Sequence, residues 1–468
     1  MINLLIILSV YFVSFTDKPE KSAPALSPRA IEQRAKWNIP TDQLDYPVSK
    51  LYIDSLRKVG VTKVFHTSRW FNGATCEMDE ETSYKVLKLG FVTDVEMTRD
   101  DNSQNYISRR KIPAWQKEDK WTDEQLALYN LLPLHEAGFE GQNILLTVCD
   151  GGFYNANKLS CFRQKELELG HFDFTDDADD FYGSSGAHGT ECLSTISGIA
   201  DGFYGAATKA KYYLMRSEEA ETESPKEMDN LVAALEKADS LGVNVFSVSL
   251  GYSEFDNDAW SLDKNKDLDG KATRSSRAAT IAARKGMLVC VAAGNEGNKA
   301  WRTISSPADA DSILTVGAVA ADSLIGSFSS YGPSSDGRIK PEVCAVGVQT
   351  TLIYPDGTIV TSSGTSFATP LIAGLATALW SALPNENAMQ IRERIIRSAD
   401  RYNNPDPKRY GYGIPDAWKA YTMATEDIEN VNSSSLQGGD RGRLILRGNQ
   451  ILILRNGKVY TVSGQRVQ

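Results

Sequence analysis

The sequence predicts an α/β protein: a doubly wound, mostly parallel sheet with helices on both faces, a small α+β domain before it and a short β tail after it. Three observations carry this. Between about Trp121 and Met423, short and uniformly apolar runs alternate with longer helical ones, the pattern of strands buried on both faces. Residues 48–96 mix two helical patterns with three strand-like runs. The C-terminal stretch RLILRGNQILILRNGKVYTVSGQRVQ breaks apolar runs at Gly-Asn and Asn-Gly, the mark of a small β-meander.

The bulk properties bound the function. With 468 residues, 41% hydrophobic and 24% charged, the chain can bury a large core over two or three domains. A formal net charge of −10, with no basic stripe, argues against a nucleic-acid partner. No internal repeat is visible. The cysteines Cys76, Cys149, Cys161, Cys192, Cys290 and Cys344 form no C-x-x-C pair, which argues against zinc and redox motifs. Cys149 and Cys290 lie in strand-like runs as small buried hydrophobes, and no disulfide is assigned.

Taken in order, Ile2 to Phe15 form one apolar run, too short to span a bilayer comfortably. It reads as a signal peptide over residues 1–16, although no Lys or Arg precedes it; an uncleaved anchor or a buried strand is the other reading. Residues 17–45 are polar and read as a flexible lead. SKLYIDSLRKVG and EETSYKVLKLG are the helices of the 48–96 domain; VTKVFHTSRW, ATCEM and FVTDVEM are its strands. Residues 98–120 are a charged linker in which Arg109, Arg110 and Lys111 form an exposed basic site open to proteolysis. In the large domain the strands are NILLTVCD, AKYYLMRS, VNVFSVSLG, MLVCVAAG and SILTVGAV. The helices are the run after His188, MDNLVAALEKADSLG and SRAATIAARKG. Residues 424–442, rich in Ser, Asn and Gly, form a second linker, and 443–468 the β tail.

Ligands of such sheets bind beyond the carboxyl ends of the strands. Four residues stand out there. Asp150 follows NILLTVC and precedes Gly151-Gly152; His188 opens a helical run after Gly186-Ala187; Asn295 ends VCVAAG; Ser366 sits in SGTSFATP at the start of a long apolar helix with Pro370 early in it. Each alone has a plain structural reading, as a turn, cap or core residue. Asp, His and Ser are the residue types that can supply an orienting carboxylate, a base and a nucleophile in one site.

The stretches TVCDGGF, AHGTECLSTISG, VAAGNEG and SGTSFATPLIAG resemble the four signature blocks of the subtilisin-like serine peptidases, over about Leu131 to Tyr421. One departure is Glu191, where many relatives carry a second histidine at a position outside the catalytic set. The resemblance implies a secreted serine endopeptidase working through an acyl-enzyme. Ser366 would be the nucleophile, His188 its base, Asp150 the orienting carboxylate, and Asn295 with the Ser366 N–H the oxyanion donors. It also implies that Ser249, Leu250, Gly251, Ala292, Ala293 and Gly294 line the primary substrate pocket, and that residues 17–120 are a propeptide-like inhibitory domain and linker ahead of a catalytic domain at 121–423. The partners implied are peptide substrates and the chain's own propeptide. The location implied is extracellular or at the cell surface, as a monomer with no stable membrane span once the signal is removed.

No cofactor is required for this chemistry. Structural calcium, which many relatives use, has two candidate loops: Asp263, Asn265, Asp267 and Asp269, and the acidic run Asp173 to Asp180; a solvated loop is the preferred reading for both, and no metal ligand is assigned. The tail resembles sorting or attachment tails of some bacterial secreted proteins; a hairpin packed on the protease is the equal alternative. Two other functions compete: a non-catalytic pseudopeptidase, and an acyl transferase that joins peptides on the same fold.

Overall fold

The computed structural model describes residues 8–19, 22–100, 122–175, 180–183, 186–219, 222–423 and, as backbone, the strands within 443–467. Residues 1–7, most of the first linker and the whole of the second lie outside the described residues.

The N-terminal domain is built from β1 (Ser9–Phe15), α1 (Pro28–Lys36), α2 (Lys50–Val59), β2 (Lys63–Ser68), β3 (Gly73–Met78), α3 (Glu80–Leu87) and β4 (Val92–Asp100). Its sheet has the order β2-β3-β1-β4, with β1 antiparallel to both neighbours. α2 and α3 begin at side-chain caps, Ser49 and Asp79, as their patterns require. α2 ends at Gly60, whose φ of +117° is open to glycine.

The apolar run read as a signal peptide is therefore corrected: Ser9–Phe15 is the strand between β3 and β4, and removing it would split the sheet. The physical reason is burial on two faces. Tyr11, Val13 and Phe15 face the helices and join Ile53, Leu56 and Val86 in one core. Phe12, on the other face, packs under the Arg274 guanidinium of the larger domain, 4.5 Å from its ring centroid. A strand buried on both sides reads as a continuous apolar run, as a leader does.

Residues 17–45 are corrected as well. They are no loose lead, since they contain α1, capped by Ser27, and a short helical turn at Gln43–Asp45. Their polarity serves ion pairing. Arg34 bridges Asp45 at 2.6 Å and Asp239 at 2.7 Å, and Lys285 reaches Asp45 at 3.0 Å, all buried or nearly so.

The larger domain opens with α4 (Asp123–Ala127) and α5 (Leu132–Glu136). It continues through β5 (Leu145–Asp150), α6 (Gln164–Leu167), β6 (Glu168–Asp173), α7 (His188–Ser197), the small hairpin β7 (Ile199–Ala200) and β8 (Phe203–Tyr204), β9 (Lys211–Arg216), α8 (Pro225–Leu241) and β10 (Val245–Val248). Then follow α9 (Arg274–Arg284), β11 (Leu288–Ala292), β12 (Leu314–Val319), β13 (Val343–Val346), the hairpin β14 (Thr350–Ile353) and β15 (Ile359–Ser362), α10 (Thr365–Ala382), α11 (Ala388–Ser398) and α12 (Ala417–Thr422). The tail strands β16 (Arg443–Arg447), β17 (Gln450–Arg455), β18 (Lys458–Thr461) and β19 (Arg466–Val467) pair in sequence as the expected antiparallel meander.

The main sheet has seven parallel strands in the order β13-β12-β11-β10-β5-β9-β6. Alternate residues feed two cores. Leu146, Val148, Leu288 and Cys290 join the core around α7 and α10; Leu145, Cys149, Val289 and Val291 join the core around α8 and α9. The expected strands all form. Two further strands were not foreseen: β6, because ELGHFD is a partly exposed edge strand without an apolar run, and β13, whose buried VCAV is only four residues long. The order reverses beside β5: the chain leaves it toward β6 and β9, then returns across it to β10. That switch point is where open parallel sheets form their crevice.

The N-terminal sheet rests on α8. From this helix Asp229, Glu236 and Asp239 point at the small domain. The Glu236 carboxylate accepts from the Ser68 hydroxyl (2.6 Å) and from the N–H groups of Arg69 (2.9 Å) and Trp70 (3.1 Å). Arg274 joins Asp229 (2.7 Å) to Glu96 of β4 (2.5 Å). Breaking one member of such a buried charged set leaves the others uncompensated, so the set fixes the docking geometry. Glu236→Ala removes one acceptor of three hydrogen bonds across this interface. In chain cut within residues 101–120, the N-terminal fragment is expected to bind about 10–100-fold more weakly. Calorimetric titration measures this, and unchanged affinity would show that the carboxylate does not hold the domains together.

Candidate active site

The four residues singled out in the sequence converge on the carboxyl ends of β5, β10 and β11. Asp150 is the last residue of β5 and is fully buried. Its Oδ1 accepts from the Gly151 N–H at 2.8 Å and faces His188 Nδ1 at 2.8 Å. His188 is the first residue of α7, with its side chain 40% exposed. This approach depends on Gly189. A Cβ there would stand 2.5 Å from the Gly152 carbonyl oxygen and 3.0 Å from the Asp150 Cβ, so any larger residue would push α7 off the strand end.

Two opposed effects act on His188. Burial would lower its pKa; the Asp150 carboxylate outweighs that and holds the imidazole well above its ordinary 6.5. Cys192 lies one turn further along α7, its Sγ 3.8 Å from His188 Nδ1. Burial pushes this thiol up to about 11, although the neighbouring imidazole pulls the other way.

Ser366 is the second residue of α10 and 8% exposed. α10 runs 18 residues and is apolar on every side, so it is buried between the sheet and α11. Its first residue is tied to Asn295: the Asn295 Oδ1 accepts from the Thr365 N–H (2.9 Å) and hydroxyl (3.0 Å). That fixes which end of the amide is engaged and leaves the Nδ2 donors beside Gly364, where a Cβ would be 3.7 Å from Nδ2. The Phe367 ring lies 5.5 Å from that of His188. The Ser366 hydroxyl donates to the Ser249 carbonyl at 3.3 Å and, among the described residues, makes no hydrogen bond to His188. Such bonds are often long or misaligned until substrate binds.

The residues expected to line the pocket fall on two neighbouring segments. Ser249, Leu250 and Gly251 follow β10; Ala292, Ala293 and Gly294 close β11. The Leu250 side chain belongs to the core around α8 and α9, leaving its backbone for a ligand. Gly251 is exposed, and its missing Cβ admits the Ser305 hydroxyl, which would otherwise be 2.3 Å away. Gly294 has φ +104° and donates its N–H to the Thr365 hydroxyl at 3.2 Å. Thr365 was missed in the sequence; its one signal was its place between Gly364 and Ser366.

The carboxylates of the acidic loop at 263–269 are engaged within the protein. Asp263 pairs with Lys266 at 2.8 Å, Asp267 accepts the Asp263 N–H at 2.7 Å, and Asp269 accepts those of Lys271 (2.7 Å) and Ala272 (2.9 Å). In the second acidic run, Asp173 pairs with the buried Arg216 at 3.2 Å, and Asp176 to Asp179 lie outside the described residues.

Residues 141–413, more than half the chain, match the model of the Subtilase family. The chain belongs to that family. Residues 10–114 match the Peptidase S8 propeptide domain of Bacteroidota, so this subtilase carries its own N-terminal propeptide, and that match begins inside β1. The chain is 27% identical to Subtilisin NAT of Bacillus subtilis subsp. natto over 370 residues, 75% of this chain and 81% of the relative. It is 33% identical to the serine protease AprX of Bacillus subtilis over a shorter 162 residues, 30% of this chain and 36% of the relative. In fold it is similar to MycP1 from Mycobacterium smegmatis, with a TM-score of 0.56 at 22% identity over 71% of this chain and 94% of the other. Subtilases are serine endopeptidases, and this chain is one. Among its described residues, no helix is long and apolar enough to cross a membrane.

The raised pKa has a direct readout in this subtilase. The His188 imidazole is expected to titrate by NMR with a midpoint above 6.5, and Asp150→Asn should bring that midpoint down. A midpoint that ignores the substitution would show that Asp150 does not govern the imidazole.

Proposed function

We propose that this subtilase hydrolyses peptide bonds through Asp150, His188 and Ser366, by way of an acyl-enzyme. The observation that carries the reading is the 2.8 Å contact between Asp150 and His188 Nδ1 beside the start of the helix bearing Ser366. The contact orients the imidazole so that Nε2 is the free nitrogen. A turn of the Ser366 hydroxyl away from the Ser249 carbonyl toward Nε2 readies it for attack on a peptide carbonyl. His188 takes the proton, Asp150 stabilises the imidazolium, and the proton then passes to the leaving amine. The developing oxyanion is met by the Ser366 N–H and the Asn295 amide, whose oxygen is already engaged at Thr365. Acyl transfer by this set draws on protein groups alone.

The substrate lies extended between the Ser249–Gly251 and Ala292–Gly294 segments, with small walls that leave room for a large apolar side chain. The N-terminal domain blocks the cleft until the linker at 98–120 is cut, which suits an enzyme exported before activation and acting outside the cell. The β tail at 443–468 serves as a sorting or attachment signal.

Ser366→Ala is expected to abolish peptide hydrolysis and leave the fold intact. Hydrolysis by the purified variant at the wild-type rate would sink the assignment. Asn295→Ala should lower kcat roughly 100–1000-fold with little change in KM, the loss known when one oxyanion donor is removed from a subtilisin. Activity should climb as pH rises through the raised pKa of His188, because only the neutral imidazole accepts the proton.

A further inference from the structure

Pro370 lies inside α10, four residues after Ser366. In a helix the carbonyl of one residue accepts from the N–H four residues on. Proline has no N–H, so the Ser366 carbonyl lacks its helical donor in a buried place, where an unpaired polar group is costly. Two side chains from other elements meet it. The Ser249 hydroxyl donates at 2.8 Å, and the Cys192 thiol at 3.3 Å.

We propose that Ser249 and Cys192 are positioning residues: by holding the Ser366 carbonyl that Pro370 leaves open, they fix the nucleophile against the strand and the helix that carry the rest of the site. The proposal rests on the reading of Ser366 as nucleophile. Its geometry is specific. Cys192 and His188 stand four residues apart on α7, on one helix face, so a tie from Cys192 to Ser366 sets the distance between the base's helix and the nucleophile's. Ser249 holds Ser366 from both sides, since its hydroxyl donates to the Ser366 carbonyl and its own carbonyl accepts from the Ser366 hydroxyl at 3.3 Å. Cys192 is fully buried, and its raised pKa keeps it a thiol, hence a donor, at neutral pH. The cysteine at this place is thus more than a small apolar filler.

The test uses the full chain, expressed and allowed to mature, with kcat, KM and melting temperature measured for each variant. Ser249→Ala and Cys192→Ala are each expected to lower kcat about tenfold, as one of two donors to a buried carbonyl is lost, with KM within about twofold and melting little changed. Cys192→Ser, which keeps a donor, should recover at least half of that loss on a logarithmic scale. Pro370→Ala supplies the missing backbone N–H, so in that background the Ser249→Ala loss should shrink to under about threefold. A role of Ser249 elsewhere in the site would not make the kcat loss depend on residue 370, and a role in stability alone would move the melting temperature instead of kcat. Unchanged kcat in both alanine variants, or the same loss with and without Pro370→Ala, would overturn the proposal. If Cys192→Ala does not fold, Ser249→Ala and its pairing with Pro370→Ala decide alone. Ser366→Ala separates the two levels: activity retained there removes the nucleophile reading, whereas activity lost there but kept in Ser249→Ala and Cys192→Ala overturns the tie only.

Discussion

The site depends on where one buried helix begins. α10 is apolar on all sides and is packed between the sheet and α11, so its axis has little freedom. Its first turn is then pinned from outside: Asn295 engages Thr365, and Ser249 and Cys192 engage the Ser366 carbonyl. Each tie reaches a different element, beyond β11, beyond β10 and along α7. The serine is therefore located by three separate contacts. A reacting group displaced by about 1 Å loses much of its rate advantage, so a first turn held this way suits the proposed role of Ser366.

The same first turn explains the electrostatics. Asn295 spends its oxygen on the helix N-terminus, where N–H groups lack helical acceptors, and that choice turns its donors outward. Asp150 sits at the end of a strand with no exposure and acts through a short contact on the partly exposed His188. The result is an imidazole whose charge is stabilised from the side away from the candidate nucleophile.

The N-terminal domain is held differently. Its contact with α8 and α9 is built from charged pairs that run both ways, Arg69 of the small domain to Asp239 and Arg274 of the large domain to Glu96, together with N–H groups and a hydroxyl on the Glu236 carboxylate. Charged contacts of this kind discriminate more than they stabilise, because their desolvation cost offsets their attraction. That balance suits a propeptide domain held in one orientation. The α1 segment adds a second anchorage near the far ends of α8 and α9, where Arg34, Asp45, Asp239 and Lys285 meet.

The sequence by itself determined the fold class, the order of most elements, the subtilase resemblance and the positions Asp150, His188, Asn295 and Ser366. Uniformly apolar strands announce a two-sided sheet, and glycine-flanked polar residues at strand ends are hard to place elsewhere. Tertiary structure alone decided three things. The Ser9–Phe15 run became a central strand, since two-sided burial and a leader give the same local pattern. Residues 17–45 became an anchored helix and turn, since polar residues that look solvated alone are buried once partners such as Asp239 and Lys285 arrive from some two hundred residues away. Cys192 and Thr365 joined the site, and Ser249, expected there as pocket lining, gained its tie to the Ser366 carbonyl, because these are contacts between elements. Local sequence encodes periodicity and turn chemistry; it does not state which distant carbonyl a buried thiol or hydroxyl will meet.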